Sequence, residues 1–224
     1  MVSQREARAP SRDRLLAAAA AEFATRGFDG AKVDRIAARA RVNKAMVYYH
    51  FENKAALYRE ILRELFATAA ASVAAVRQAG GPPDIQLRGF VEAIAKNAIA
   101  RPHFPSMWLR EVAEGGRHLD ETVLAGMRHV MQTLAAILAD GRRAGVFRDV
   151  HPMVMQMSIV APLLFFAAAT PLRERYAHLV VPQLDGAGLL EQLIAHVQAT
   201  ALAALTVNGR PAASRPTSRR RHRL

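Results

Sequence analysis

Two short amphipathic segments with almost nothing between them constrain this chain more than any other feature. Val33, Ile36, Ala37 and Ala40 recur at i, i+3, i+4 and i+7, which predicts a helix over about 33–40 with one apolar face. Arg41 and Val42 leave room only for a tight turn, and Asn43 then offers a side-chain oxygen to cap another helix through about His50. Upstream, Ser11 to about Arg26 reads as a helix with Leu15, Leu16, Ala19, Ala20 and Phe23 along one stripe, stopped by Gly27. Downstream, Asn53 caps a long fourth helix from Lys54 to roughly Gln78, and Gly80-Gly81-Pro82-Pro83 ends it.

The short pair has the spacing of a helix-turn-helix, whose second helix fits a DNA major groove. Val42, Val47 and Phe51 can point inward, which leaves Lys44, Ala45, Met46, Tyr48, Tyr49 and His50 across the outer surface. Backbone N–H groups at the Asn43 end favour a phosphate, and Lys44, unfavourable for the helix dipole, suits an approaching phosphate backbone. Each residue alone has a plainer reading. Tyr48 or Tyr49 could be a boundary side chain with a buried ring, His50 could be structural, and Lys54 could be a solvated charge at a helix start. Taken jointly on a basic surface, they point to nucleic acid.

The formal charge of +12 is unevenly placed. Residues 1–60 hold twelve Lys or Arg against seven acids, residues 210–224 hold six Arg and no acid, and 61–209 are close to neutral. This suggests a polyanion partner at the N-terminal region, with the Arg-rich tail either an auxiliary contact or a solvated end. At 51% hydrophobic the chain is not a disordered one, and abundant alanine with few β-branched residues favours an all-α fold. There is no cysteine, and the charged N-terminus lacks an apolar signal stretch; both fit a cytoplasmic location. The longest apolar run, Ile159 to Thr170, is too short to span a bilayer, so no membrane association is expected.

Over about residues 12–60 the chain resembles the TetR family of bacterial transcriptional regulators. The stretches AAAAEFATRGFDGAKVDRIAARA and VNKAMVYYHFENKAALY carry the likeness. Phe23, Gly27 and Phe28 match the family's phenylalanine and Gly-aromatic pair, Val33, Ile36 and Ala37 match the start of its second helix, and Asn43 to Phe51 match its recognition helix. The resemblance implies that Tyr48, Tyr49 and Lys54 touch phosphates while Lys44, Ala45, Met46 and His50 lie near base edges. It also implies a C-terminal helical domain that binds an effector and dimerises, with the long fourth helix tilting to change the spacing of the two heads.

Three departures from the family pattern matter. Lys32 stands where a Thr or Ser cap is usual, so Asp34 must favour that helix end by its charge. Arg41 replaces the usual turn glycine; a positive φ there would cost of order 1 kcal/mol, and its cationic tip could reach a phosphate. Ala45 replaces glycine beside the bulkier Met46, offering apolar groups to a thymine methyl, so relatives do not dictate the operator sequence.

Beyond the head, helices are expected at about 84–100, 104–114, 118–141, 152–170 and 187–207, with Pro171 among the residues that punctuate them. The domain division is then a flexible 1–10, a DNA-binding head over 11–60, an effector-binding and dimerisation body over 61–207, and a disordered basic tail over 208–224. Phe90, Ile94, Phe104, Met107 and Trp108 could line a cavity between helices, as could Met127, Met131, Leu134, Phe165 and Phe166, though each could equally be plain core. Trp108 is the residue expected nearest a ligand. The broad apolar surfaces of Pro152–Thr170 and of the last helix suggest a two-fold dimer through a four-helix interface, which would set two heads about 34 Å apart.

His103, His118 and His129 do not share a helical face at metal-binding spacing, and no G-x-S-x-G or P-loop occurs, so neither a metal, a cofactor nor catalysis is expected. The function expected is a dimeric repressor that binds a palindromic double-stranded DNA operator and releases it to a small apolar effector. The alternative is a structural protein that coats nucleic acid without sequence preference.

Overall fold

Gly27 sits at φ 68° and ψ 178°, and there the chain of α1 (Ser11–Gly30) turns away from its helical course. The computed structural model describes residues 11–180 and 186–206, with side chains placed for 11–176 and 188–206. The proposed flexible start and basic tail therefore lie outside the described residues. After α1 come α2 (Val33–Ala40), α3 (Lys44–His50), α4 (Lys54–Ala79), α5 (Pro83–Ala100), α6 (Phe104–Ala113), α7 (Glu121–Arg143), α8 (Pro152–Ala168), α9 (Thr170–Val180) and α10 (Gly186–Leu205). The fold is all-α, as the composition predicts: an N-terminal helix-turn-helix head leads into a C-terminal helical body.

The head closes on a small core. Leu15, Ala19 and Phe23 of α1, Ile36 of α2, Val47 of α3 and Leu57 of α4 are all buried together. Phe23, Phe28 and Tyr58 pack edge-to-face or stacked within 4.9–6.0 Å of one another. Burying one such ring is worth about 1.5–3 kcal/mol. This cluster does not stop at the head; it runs on through Phe104 and Met107 of α6 to Val123 and Leu164. A second core holds the body together around Val73, Phe90, Leu134, Ile137, Ile159, Val197 and Leu205.

Two boundaries differ from expectation for identifiable reasons. α7 starts at Glu121, because Asp120 accepts from the Thr122 and Val123 N–H groups and so caps the helix there; Gly115 and Gly116, both at φ 76°, occupy the preceding turn. Pro171 does not end the helical course: it lies in the first turn of α9, where a missing N–H costs nothing. α9 leaves α8 at a bend of 49°.

Two helices, Glu121–Arg143 and Gly188–Leu205, are long and apolar enough by composition to cross a bilayer, and the bent pair Pro152–Ala168 with Thr170–Tyr176, which contains the run Ile159–Thr170, passes the same test when taken as one span. In α7 the apolar residues form a stripe, Val123, Val130, Leu134 and Ile137, buried in the body, while Arg128, Arg142 and Arg143 pair with Glu121, Asp149 and Asp140. That is the pattern of a packed amphipathic helix.

Candidate nucleic-acid interface and effector cavity

The α2–α3 turn is a Schellman motif with an arginine at its left-handed position. Arg41 has φ 54° and ψ 47°, its N–H reaches the Ala38 carbonyl at 3.1 Å, and the Val42 N–H reaches Ala37 at 3.1 Å. The same helix end receives Arg14 Nε on the Ala40 carbonyl at 3.2 Å. The strain at Arg41, about 1–2 kcal/mol, is thus held in place by three hydrogen bonds.

At the start of α3, Asn43 Oδ1 accepts the Ala45 N–H at 3.0 Å. Val47 and Phe51 anchor the helix from below, at 1% and 7% exposure, and Tyr48 and Tyr49 project outward at 51% and 78%. Arg41, Lys44 and Ala45 are exposed and Met46 is half-buried. Lys44 Nζ lies 2.8 Å from the Asp34 carboxylate of α2, which holds the lysine above its ordinary pKa.

Two more of the predicted contacts, like Lys44, are engaged within the protein. His50 Nε2 is 2.9 Å from Ser11 Oγ at the start of α1, and its ring meets Tyr49 edge-on at 5.1 Å. Lys54 Nζ donates to the Phe28 and Ala31 carbonyls at 2.9 and 3.3 Å and rests 4.4 Å above the Phe28 ring. Lys54 therefore ties α4 to the end of α1 and to the loop that follows it, with one ammonium proton left over from these two carbonyls.

The start of α2 is held by a residue that the sequence reading passed over. Glu22, buried in α1, accepts Arg35 Nε at 2.5 Å and the Lys32 N–H at 3.5 Å. Burial pushes its carboxyl up, but Arg35, the Lys32 N–H and Arg26 outweigh this and hold it below the ordinary value. The acid that takes the place of the missing cap thus comes from α1, while Asp34 serves Lys44. An acid beside the apolar stripe of α1 was the only signal available in the sequence.

Where α4 leaves the head, Tyr58 donates its hydroxyl to Glu111 Oε2 of α6 at 3.1 Å. Glu111, 1% exposed, also accepts the His118 N–H at 2.8 Å and His118 Nδ1 at 2.9 Å. Burial and the neighbouring Glu111 push the Tyr58 phenol above its ordinary pKa. The His118 ring lies 4.0 Å from Phe28, and Arg117 reaches Asp29 at 2.7 Å, so α1, α4 and α6 meet in one clasp. Glu111, Glu114 and His118 offer ligand atoms within 4.8 Å of one another, but both Glu111 oxygens already accept protein donors.

Beyond the clasp lies a cavity of about 180 Å³ between α4, α5, α6, α7 and α8. Of the residues expected there, Ile94, Phe104, Trp108, Met127 and Met131 line it, joined by Phe66, Asn97, Met153, Gln156 and Met157. Phe90 and Met107 do not: both are sealed in packed core at 0% and 1% exposure. Phe165 lies on the outer face of α8 at 68%. Leu134 is fully buried, and Phe166 stacks under Arg173 at 3.7 Å. The misplacement is one of helix rotation, since apolar periodicity fixes a buried face but not which neighbour that face meets.

A three-helix head with a projecting tyrosine-bearing helix, joined through one long helix to a body with an apolar cavity, defines a helix-turn-helix DNA-binding regulator. The comparisons agree. Residues 15–61 match the family of bacterial regulatory proteins, tetR family, and residues 83–179 match the tetracyclin repressor-like C-terminal domain. The chain is 30% identical to the HTH-type transcriptional repressor SCO4008 of Streptomyces coelicolor, over 72% of this chain and 80% of that one. It is 27% identical to the HTH-type transcriptional repressor NicS of Pseudomonas putida, over 70% and 74%.

Among solved structures, a tetR-family regulatory protein from Rhodococcus RHA1 shares the fold at a TM-score of 0.70 and 17% identity, covering 90% of this chain and all of that one. The regulator PfmR from Thermus thermophilus does so at 0.65 and 24%, covering 85% and 98%. The chain belongs to the TetR family, as a DNA-binding transcription regulator that works as a dimer.

Proposed function

We propose that the chain is a repressor that holds a palindromic operator as a two-fold dimer and releases it when a small, mostly apolar molecule fills the cavity. SCO4008 and NicS are both described as repressors. One observation carries the release: α6 lends Phe104 and Trp108 to the cavity and, one turn on, Glu111 to the clasp on Tyr58. A molecule that spreads the cavity moves the same helix that holds the head. If it prefers the non-binding state a hundredfold, the coupling is about 2.7 kcal/mol.

On DNA, the Tyr48 and Tyr49 hydroxyls, Arg41 and the remaining proton of Lys54 meet phosphates, while Lys44, Ala45 and Met46 face the bases. Asn43 holds the helix start, and His50 orients the Tyr49 ring from its place on Ser11. The second copy covers the outer faces of α8 and α10, where Val154 and Phe165 of α8 are more than half exposed. Such a protein acts in the cytoplasm, where the chromosome is.

The test is a titration against the DNA adjoining its own gene and against random duplex of the same length, at two salt concentrations. A repressor retains at least about a thousandfold preference for its site. Tyr49→Ala should lower that affinity while leaving the folded stability within about 0.5 kcal/mol. A preference near one at both salts would instead establish the rival, a nonspecific coat driven by counterion release.

A further inference from the structure

The cavity reports on the chemistry of its occupant. Phe66, Phe104 and Trp108 form one aromatic wall, with ring centroids 5.0, 5.8 and 6.3 Å apart. Met127 and Met131 line the cavity as well, and their thioethers adapt to an irregular shape. No Lys, Arg, His, Asp or Glu is among the lining residues, so a charged guest would be buried without a partner.

Only two lining side chains are strongly polar, and they differ. Asn97 is engaged: its Nδ2 donates to the Ala93 carbonyl at 2.8 Å, and its Oδ1 accepts from Arg101 at 3.4 Å. Gln156 Oε1 is buried and has no partner, alone in this among the described residues. Turning the carboxamide about its last bond brings this unpartnered oxygen, or the N–H beside it, to the cavity, where a guest able to donate or accept satisfies it. A hydroxyl does both. The volume sets the size: a cavity of about 150 Å³ takes benzene, so about 180 Å³ takes one ring with a small substituent or two.

We infer that the cavity is built for a small neutral phenol, its ring against Phe66, Phe104 and Trp108 and its hydroxyl on Gln156. The inference rests on reading this cavity as the effector site, and it deepens that reading by naming the class of molecule. Gln156 acts as the specificity residue and the aromatic wall supplies the affinity.

The experiment measures binding to the full-length protein by calorimetry and by the fluorescence of Trp108, the single tryptophan. The probes are p-cresol, p-xylene, which replaces the hydroxyl with a methyl of similar size, and 4-methylbenzoate, which adds a charge. The wild type should prefer p-cresol, and Gln156→Leu should shift the p-cresol to p-xylene preference by about tenfold toward xylene, the value of one buried hydrogen bond. Binding of p-xylene to Gln156→Leu shows that the variant keeps its cavity.

An unchanged preference in Gln156→Leu overturns the inference, as does 4-methylbenzoate binding as tightly as p-cresol, or no binding of p-cresol at all. A parallel DNA titration separates this from the release mechanism. Discrimination through Gln156 without loss of DNA sinks the release and leaves the phenol site standing. Release of DNA by all three probes alike sinks the phenol site and leaves the release standing.

Discussion

The hydroxyl of Tyr58, four residues into α4, donates to the carboxylate of Glu111 in α6 at 3.1 Å, across a sequence separation of 53. Few contacts in the molecule bind the head to the body so directly, because α6 also packs on α1 and lines the cavity with Phe104 and Trp108. Tyr58→Phe keeps the ring against Phe23 and Phe28 and deletes only the donor, leaving Glu111 to the two groups of His118. The variant should lose about 1–3 kcal/mol in denaturant unfolding, since a buried carboxylate is left short of a partner. It should also bind DNA less dependently on what fills the cavity. Equal responses to a cavity-filling probe in both proteins would show that the clasp is structural only.

Asp34 holds the Lys44 ammonium that the proposed interface would turn toward DNA. The two form an exposed pair at 2.8 Å, and solvent screening leaves such pairs little weight in stability. DNA that takes up Lys44 must displace Asp34 and accept its negative charge nearby. Asp34→Asn should therefore leave stability almost unchanged and tighten binding to any duplex, with a steeper fall of affinity as salt rises. In Lys44→Ala the same Asp34→Asn change should yield a smaller gain, and a double-mutant cycle on DNA affinity measures the difference. Full additivity of the two changes would mean that Asp34 repels DNA without acting through Lys44.

The order in which the structure became legible follows the range of the interactions. Gly27, Asn43 and Asn53 could be read as stop and caps because each acts within three residues of its own position, and the structure finds φ 68° and the two side-chain caps there. The exposed pair Tyr48 and Tyr49 followed from Val47 and Phe51 taking the inward face. Arg41 was recognisable only as a conflict: a non-glycine where the turn needs a left-handed residue. What could not be read depends on distant partners. His50 looked outward-facing until Ser11, 39 residues earlier, proved to hold it. Glu22 drew no expectation, because its partners Arg35 and the Lys32 N–H reach it from the next helix. Phe165 and Phe90 were alike in hydrophobicity, and only helix rotation in the assembled body exposes one and seals the other.

Acid should destabilise the protein only below about pH 4.5. Burial raises the Glu22 carboxyl, yet Arg35, the Lys32 N–H and Arg26 together outweigh it and hold the group below its ordinary value of 4.5. Glu60 is lowered chiefly by its hydrogen bond to Arg63, with Arg12 adding to it against burial. Asp120 is lowered chiefly by its hydrogen bond to Thr122. Groups depressed on folding contribute stability that is complete above their unfolded pKa and is lost as pH falls through the folded one. The unfolding midpoint should be flat from neutral pH down to about 5, then fall steadily below about 4.5. Glu22→Gln should be less stable at neutral pH and lose less on acidification. A midpoint that begins to fall near pH 6 would place the controlling group among the histidines instead.

Gly141 in α7 tests how the end of the body is closed. A methyl added there would run into the Phe147 ring, which is buried at 5% exposure and so has nowhere to retreat. Phe147 also pairs with Thr206 in a short antiparallel bridge, and the Arg148 N–H reaches the Leu205 carbonyl at 2.8 Å, so the segment after α7 clips the end of α10. Gly141→Ala raises helix propensity by about 1 kcal/mol, yet the clash costs more, typically about 1–3 kcal/mol and higher where neither side can move. The variant should be net destabilised in denaturant unfolding, and hydrogen exchange should quicken at the C-terminal turn of α10 before it does in the head. Adding Phe147→Leu should recover part of the loss by freeing the space the methyl needs. A Gly141→Ala protein more stable than wild type would mean that helix propensity outweighs the contact with Phe147, and that the clip between α7 and α10 yields readily.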